Sequence, residues 1–459
     1  MSEMKTIVKN GTVVSSSELC HTDILIEGAT IAELGNFQDL PADAIFDAEG
    51  LLVFPGAIDT HVHFNDEFMS TISVHNYYRG TLAAAYGGVT SIVDFSNQLP
   101  GEPLLETVHR KKEEAADLAL IDWGVHPVIT QYDDQLEQGI IAVVAAGAPT
   151  IKCYMTYRQE GLLIEPNQLK HILSLLKKHN GMLMVHAEDN DPIESNIADF
   201  VAAGKGAPIF HALSRPVETE ATAIDACLTL AQETGGRLFI VHMSSADRME
   251  QIALARDAGC SIFAETCTHY LIFTEEMLQR DDGIKWICSP PLRKRATQER
   301  LWQGLQEGQV MMVTSDDAAF SWKAKLLGQD RFDKCPNGIP GIEPRFSLLY
   351  SEGVAKNRIT VNKFVELIAE TPAILFGLDT HKGSIKPGLD ADIVLFDPNE
   401  EWIMKHDTLH MAADWSAYDN IPINGKIKQV FSRGELLIDG EKCLAEKGRG
   451  KYLHRVLQT

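Results

Sequence analysis

The segment GAIDTHVHFND, residues 56–66, places His61 and His63 two positions apart, with Asp59 two positions before the first. Alternate side chains of a β-strand share a face, so the two imidazoles point the same way and can hold one metal ion. Among 16 histidines such a pair alone is a weak sign. Its weight comes from residues at the ends of other short apolar runs: Lys152 in TIKCYM, His186 in MVHAED, His242 in IVHMSS and Asp316 in VTSDDA. Lysine in an apolar run needs its own account. Burial and nearby cations both disfavour the ammonium form, and the neutral amine can take up carbon dioxide to give a carbamate, whose two oxygens can bridge two cations. The residues then divide into two sites, with His61, His63 and Asp316 on one, His186 and His242 on the other, and Lys152 spanning both. Nitrogen and oxygen ligands suit two divalent ions, zinc best, with manganese, cobalt or nickel as alternatives.

The elements that must position these residues are legible from punctuation. From Gly56 onward the runs GAIDTHV, GVTSIVDF, IDWGVHPV, PTIKCYM, GMLMVHA, RLFIVHM, CSIFAET and VMMVTSD alternate with stretches of helical period such as LLETVHRKKEEAADL, NQLKHILSLLKKH and ETEATAIDACLTLAQET. Near-continuous apolar strands are buried on both faces, as in parallel sheets. Eight such units predict an α/β protein built on a (β/α)8 TIM barrel, with the polar residues at the strand ends where barrel enzymes place their chemistry. A doubly wound fold would want a Gly-rich phosphate turn after the first strand, which is missing. The flanks read as short alternating strands joined by glycine turns, too small to bury a core separately. They predict one small β-sandwich made by both chain ends. The expected divisions are 1–54 for its first part, 55–380 for the barrel, and 381–459 for its second part with a C-terminal tail.

Composition narrows the partners. The 459 residues carry 41 Lys and Arg against 64 Asp and Glu, a net charge of −23. That leaves no electrostatic basis for binding nucleic acid or an anionic membrane, and no apolar run approaches the roughly 18 residues of a membrane span. The opening MSEMKTIVKNGTVV lacks a basic-then-apolar signal pattern and reads as a strand with an Asn-Gly turn. The eight cysteines stand singly, without CxxC, at places such as Cys153 and Cys227 inside apolar runs. They suit buried free thiols in a reducing compartment, and the cytoplasm is the expected location.

Taken together, GAIDTHVHF, GTLAAAYGGVTSIVDF, IKCYMTY, HAEDND, HALSRPVETEA, VHMSS, ETCTHYL, CSPPLRKR, PNGIPGIEPR and KGSIKPGLDADIVLFDP make the chain resemble, over essentially its whole length, the amidohydrolase superfamily. Within it the likeness is to the D-hydantoinase/dihydropyrimidinase branch of cyclic amidases. The resemblance implies that Lys152 is a carboxylated bridging lysine and that His61, His63, His186, His242 and Asp316 are the other metal ligands. It implies that Tyr157, Ser289 and Asn337 contact the cyclic amide, with Tyr157 and Asp316 catalytic. The implied reaction opens a hydantoin, dihydropyrimidine or related cyclic ureide or imide by attack of a hydroxide bridging the two metals. The product would be an N-carbamoyl amino acid or similar, and the implied assembly is a homotetramer, with a dimer as the alternative. Loop 64–73 and Tyr154 are expected to line the pocket for the substituent outside the ring.

The branch often follows its metal aspartate with His or Asn, then Cys-Pro or Cys-Thr, before Phe. Here the run is Asp316-Asp317-Ala318-Ala319-Phe320, and the added charge is expected to bear on substrate rather than on metal. A dihydroorotase would usually carry Arg at position 65, which is Asn65 here. An allantoinase-like ureide hydrolase stays open as an alternative. So does a non-catalytic dihydropyrimidinase-related scaffold, although such relatives lose metal ligands that this chain keeps.

Overall fold

A computed structural model describes residues 4–37 and 39–458; residues 1–3 and 459, at the ends of the expected outer divisions, lie outside the described residues. Eight parallel strands form one sheet in sequence order: β1 Ala57–Val62, β2 Val89–Asn97, β3 Asp122–Val128, β4 Thr150–Tyr154, β5 Met182–His186, β6 Arg237–Ile240, β7 Ile262–Cys267 and β8 Met312–Thr314. Every residue of β1, β3, β4 and β5 is buried, as strands covered on both faces require. The expected helices form at Glu106–Ala115, Pro166–Lys178 and Val217–Thr234. The second of these shows why: Pro166 opens it, Glu165 and Gln168 cap each other reciprocally, Lys177 and Lys178 face its negative end, and Leu169, Ile172, Leu173 and Leu176 form its buried stripe.

The ring of strands is nearly closed. β1 and β8 stand at opposite ends of the sheet order, joined just beyond β8 by a single bridge between Val62 and Asp317. A fully buried arginine fills the seam below it. Arg345 donates from Nη1 to the Val313 carbonyl of β8 at 2.7 Å and from Nη2 to the Ile58 carbonyl of β1 at 3.1 Å. Its Nε lies 3.4 Å from Asp59, whose other oxygen accepts from the His61 and Ser315 amides. Side chains thus satisfy strand edges that a ladder would otherwise pair.

Both chain ends build the second body, as expected. Thr30–Gly35, Asp23–Glu27, Lys5–Lys9 and Ala44–Asp47 make a four-stranded sheet in that order. In a seven-stranded sheet, Leu52–Pro55 from the N-terminal side pairs antiparallel with Ile393–Met404 from the C-terminal side. Val8, Ile24, Ile26 and Val53 share a core with Ile393, Leu395 and Phe431. This body is fastened to the barrel by a buried charge cluster. Lys382 meets Asp122 of β3 at 2.7 Å, Asp390 at 2.8 Å and Asp392 at 2.9 Å, and Arg433 meets Asp122 at 3.1 Å. Full pairing is what makes charges tolerable there.

The segment after residue 448 runs along the barrel rather than the sandwich. The Trp123 amide donates to Lys451, Leu453 donates back to Trp123, and Arg455 donates to Gly147. Leu457 packs with Phe95, Met184 and Phe239 inside the ring. Cys153 and Cys227 are buried free thiols, and no helix among the described residues is long and apolar enough to cross a membrane.

Candidate functional site

The C-terminal rim gathers every residue singled out from the sequence. His61 lies in β1 and His63 follows its end; Lys152 lies in β4 and His186 closes β5; His242 and Asp316 each stand two positions beyond β6 and β8. His63, Lys152, Tyr157, His186, His242, Ser289, Asp316 and Asn337 line one cavity, and His61 is fully buried beside it. Ring centroids are 5.4 Å apart for His61 and His63, 5.3 Å for His61 and His242, and 4.4 Å for His186 and His242. Asp316 Oδ1 lies 3.0 Å from His61 Nε2 and 3.5 Å from His63 Nε2. Ligand atoms of these three residues all fall within 4.8 Å of one another, close enough for one cation.

Buried polar atoms without partners mark the same spot. Lys152 Nζ and His242 Nδ1 make no hydrogen bond, which is costly unless something else satisfies them. Lys152 Nζ stands over the Phe95 and Tyr154 rings at 4.6 and 4.9 Å. Among the described residues no carboxylate lies within ion-pair distance of it, although Asp316 and Glu265 act on it through space. A nitrogen and oxygen donor set with unpartnered members fits divalent cations.

Carboxylates behind the histidines orient them. His61 Nδ1 meets Glu265 at 2.5 Å, His63 Nδ1 meets Asp66 at 3.0 Å, and His186 Nε2 meets Glu188 at 2.7 Å. Arg215 in turn holds Glu188 at 2.6 Å. Such partners fix the ring and its tautomer and raise ligand basicity. Reading the sequence missed Glu265, Asp66 and Glu188, although Glu265 opens the quoted ETCTHYL. Glu265→Gln keeps the shape and loses the charge. It is expected to weaken divalent-cation uptake by about 10- to 100-fold, measured by competition with a chromogenic chelator.

Electrostatics sort the ligands. Burial pushes His186 down to about 4 against the pull of Glu188, and burial with His186 nearby holds His242 well below the usual range. Both are neutral and ready to donate a lone pair. His63 behaves oppositely: burial disfavours its charge, but hydrogen bonds to Asp316 and Asp66 raise it to about 9. A proton there occupies the place a metal would take. Asp316, although buried, is held well below the carboxylate range by His61 and His63. Burial lowers Lys152 to about 8.

The backbone is strained where the chemistry converges. Tyr157, His242 and Asp316 have φ of 66°, 37° and 49°. Each costs on the order of 1–3 kcal/mol and persists only because its surroundings enforce it. Tyr157 Oη accepts from Asn337 Nδ2 at 3.2 Å, and its ring lies under the Arg215 guanidinium at 5.1 Å. Ser289 Oγ is 3.2 Å from His211 Nε2.

Two expectations change. Of loop 64–73, Asp66, Phe68 and Ser73 reach the cavity, with Tyr154, Leu162 and Phe320 around them. Phe64 does not: it is fully buried edge-on to Tyr77, while Met69 and Ser70 line an adjoining cavity of ≈ 480 Å³ that shares Tyr157 and Asn337. The added charge after Asp316 also stays out of the cavity. Asp317 is fully buried, 2.6 Å from His75 Nδ1, and accepts the Gly341 and Ile342 amides. The departure from the branch pattern therefore alters a strut at Asp317 and the cavity wall at Ala318, while Asp316 and Phe320 of the same run also face the cavity. The structure also assembles a set that sequence reading missed. Cys267 and His269, at the end of β7, bring ligand atoms within 4.8 Å of each other and of Asp316. A Cys-x-His at a strand end was the available signal.

A family model described as the amidohydrolase family matches residues 52–437. The chain is 37% identical to a D-hydantoinase of Geobacillus stearothermophilus over 98% of its own length and 97% of that protein. It is 38% identical to a D-phenylhydantoinase of Escherichia coli strain K12, covering 98% of each. Among solved structures, dihydropyrimidinase from Brevibacillus agri NCHU1002 superposes with a TM-score of 0.97 at 36% identity, over 99% of this chain and 100% of that one. A D-hydantoinase structure gives 0.96 at 37% identity, with 99% of each chain covered.

Proposed function

The chain belongs to the amidohydrolase family, in its D-hydantoinase/dihydropyrimidinase branch, and from that premise we propose how its site opens a cyclic amide ring. The observation that carries the reading is the meeting of His61, His63, Lys152, His186, His242 and Asp316 on one rim, opposite the Tyr157–Asn337 pair. His61, His63 and Asp316 would hold one divalent ion, and His186 and His242 a second. Lys152, carboxylated on Nζ, would serve both. Zinc is the ion the donor set suits best. Lys152 favours carboxylation because burial has already weakened its hold on a proton and left Nζ without a partner.

Bound divalent ions would supply Lewis acidity and lower the pKa of water to about 7. The remaining work falls to side chains. Burial keeps the Tyr157 phenol protonated, so Oη donates to the ring carbonyl oxygen as negative charge develops on it. Ser289 and Asn337 hold the ring amide in register. The Asp316 carboxylate, ionised at neutral pH, takes the proton of the attacking water and passes it to the departing ring nitrogen. Cleavage of that carbon–nitrogen bond leaves an N-carbamoyl amino acid when the substrate is a hydantoin or dihydropyrimidine. Phe68, Tyr154, Leu162 and Phe320 give the cavity an apolar wall, which favours an apolar or aromatic ring substituent.

The divisions 1–54, 55–380 and 381–459, a homotetramer or dimer as the family resemblance implies, and a cytoplasmic location, which the scattered free thiols suit, complete the proposal. The test is a turnover panel on metal-loaded protein: hydantoin, 5-phenylhydantoin, other 5-substituted hydantoins, dihydrouracil, allantoin and cyclic imides. Hydrolysis of 5-phenylhydantoin in preference to unsubstituted hydantoin is expected. Turnover of allantoin alone would overturn the substrate class.

A further inference from the structure

We propose that Cys267, His269 and Asp316 form a third cation site, selective for a soft, thiophilic divalent ion, whose filling stops turnover. Their ligand atoms lie within 4.8 Å of one another. His269 is buried, and its ring nitrogens make no well-formed hydrogen bond, with the Ser315 backbone near enough to act on the ring. A histidine so placed forfeits much of the hydration of two polar atoms, which a ligand would restore. Cys267 is equally uncommitted, with only a 3.6 Å contact from Sγ to Thr314 Oγ1. Strand β7 ends at Cys267 and a short helix, Thr268–Ile272, starts at once. That turn brings residues two apart in sequence to the same carboxylate.

The chemistry of the set decides its occupant. His61, His63 and Asp316 offer nitrogen and oxygen, whereas this triple adds a sulfur and so favours softer ions such as cadmium. Binding requires the thiolate, so the Cys267 proton leaves to solvent as the ion enters. Asp316 belongs to both sets. A cation held by Cys267 and His269 would occupy an Asp316 oxygen and so take that carboxylate away from the reacting groups. The inhibitory consequence therefore rests on the role proposed for Asp316, while the binding itself does not.

Metal-loaded protein titrated with cadmium is expected to take up one further ion per chain and to develop a thiolate-to-cadmium charge-transfer band in the ultraviolet. Turnover is expected to fall over the same concentration range. Cys267→Ser should abolish the band and raise the half-inhibiting concentration at least about tenfold, and His269→Gln should shift both band and inhibition to higher cadmium by a factor within the roughly 10- to 100-fold that loss of a metal-site group costs. Cys288→Ser removes the rival thiol, which lines the cavity, and should leave the band in place. Absence of the band in the unaltered protein overturns the site, as does its survival in Cys267→Ser or its loss in Cys288→Ser. A full band with undiminished turnover overturns the inhibitory role. Because the band is read without substrate, a protein inactive on every cyclic amide still tests the site.

Discussion

Lys152→Ala is expected to release both divalent ions together and, with them, activity. The side chain removed is the one group placed to serve both halves of the site, since Nζ is buried, unpartnered and enclosed by the rings of Phe95 and Tyr154. Without a shared anion, two cations at the roughly 3.5 to 4 Å typical of such pairs face uncompensated repulsion. At an effective dielectric constant near 20 that is about 4 kcal/mol for each pair of unit charges. The loss of affinity should therefore exceed the roughly 10- to 100-fold that follows removal of an outer carboxylate, and elemental analysis should find little metal. Acetate or propionate added with zinc can occupy the vacated space and offer two oxygens. Partial return of metal and turnover is expected with either acid and not with chloride at equal ionic strength. If the metals stay in Lys152→Ala, the lysine is not a ligand.

Asp316→Asn separates holding the metal from moving the proton. Asparagine keeps an oxygen near His61 and His63 but accepts no proton. Turnover should drop by on the order of a hundred- to ten-thousand-fold, with metal content read in parallel by elemental analysis and largely kept. The neighbouring carboxylate offers no substitute, because Asp317 is buried against His75 and two backbone amides. A near-normal rate with full metal would mean that the proton travels by another route.

How far the sequence spoke depended on whether a feature is periodic or paired across distance. Buried parallel strands announce themselves as apolar runs, so β1 to β8 and the residues at their ends could be read in order. The helix Pro166–Lys178 carries its own start, stop and stripe. Glu265 supporting His61, Asp317 gripping His75 and Arg345 bridging Val313 to Ile58 join residues far apart in the chain. No local pattern marks such pairs, because each half has meaning only after the barrel closes. Asp317 shows the hazard best: in the sequence it is a charge beside the ligand, and in the fold it points to a strut. The segment along Trp123 was hidden for the same reason, since its partners are backbone groups of the barrel.

The seam between β1 and β8 has a consequence for how the protein breathes. The β1–β8 join rests on one bridge, as the β3–β4 join rests on the single pair Val128–Lys152, so one weak line of the barrel runs between the strand that supplies His61 and the one that leads to Asp316. A cation held by His61 and Asp316 would act as a latch across that line. It would stabilise the closed ring by mass action, in proportion to the logarithm of its concentration over its dissociation constant. Loss of metal would then loosen the barrel where His61 and Asp316 meet, so that catalytic and structural integrity would fail together.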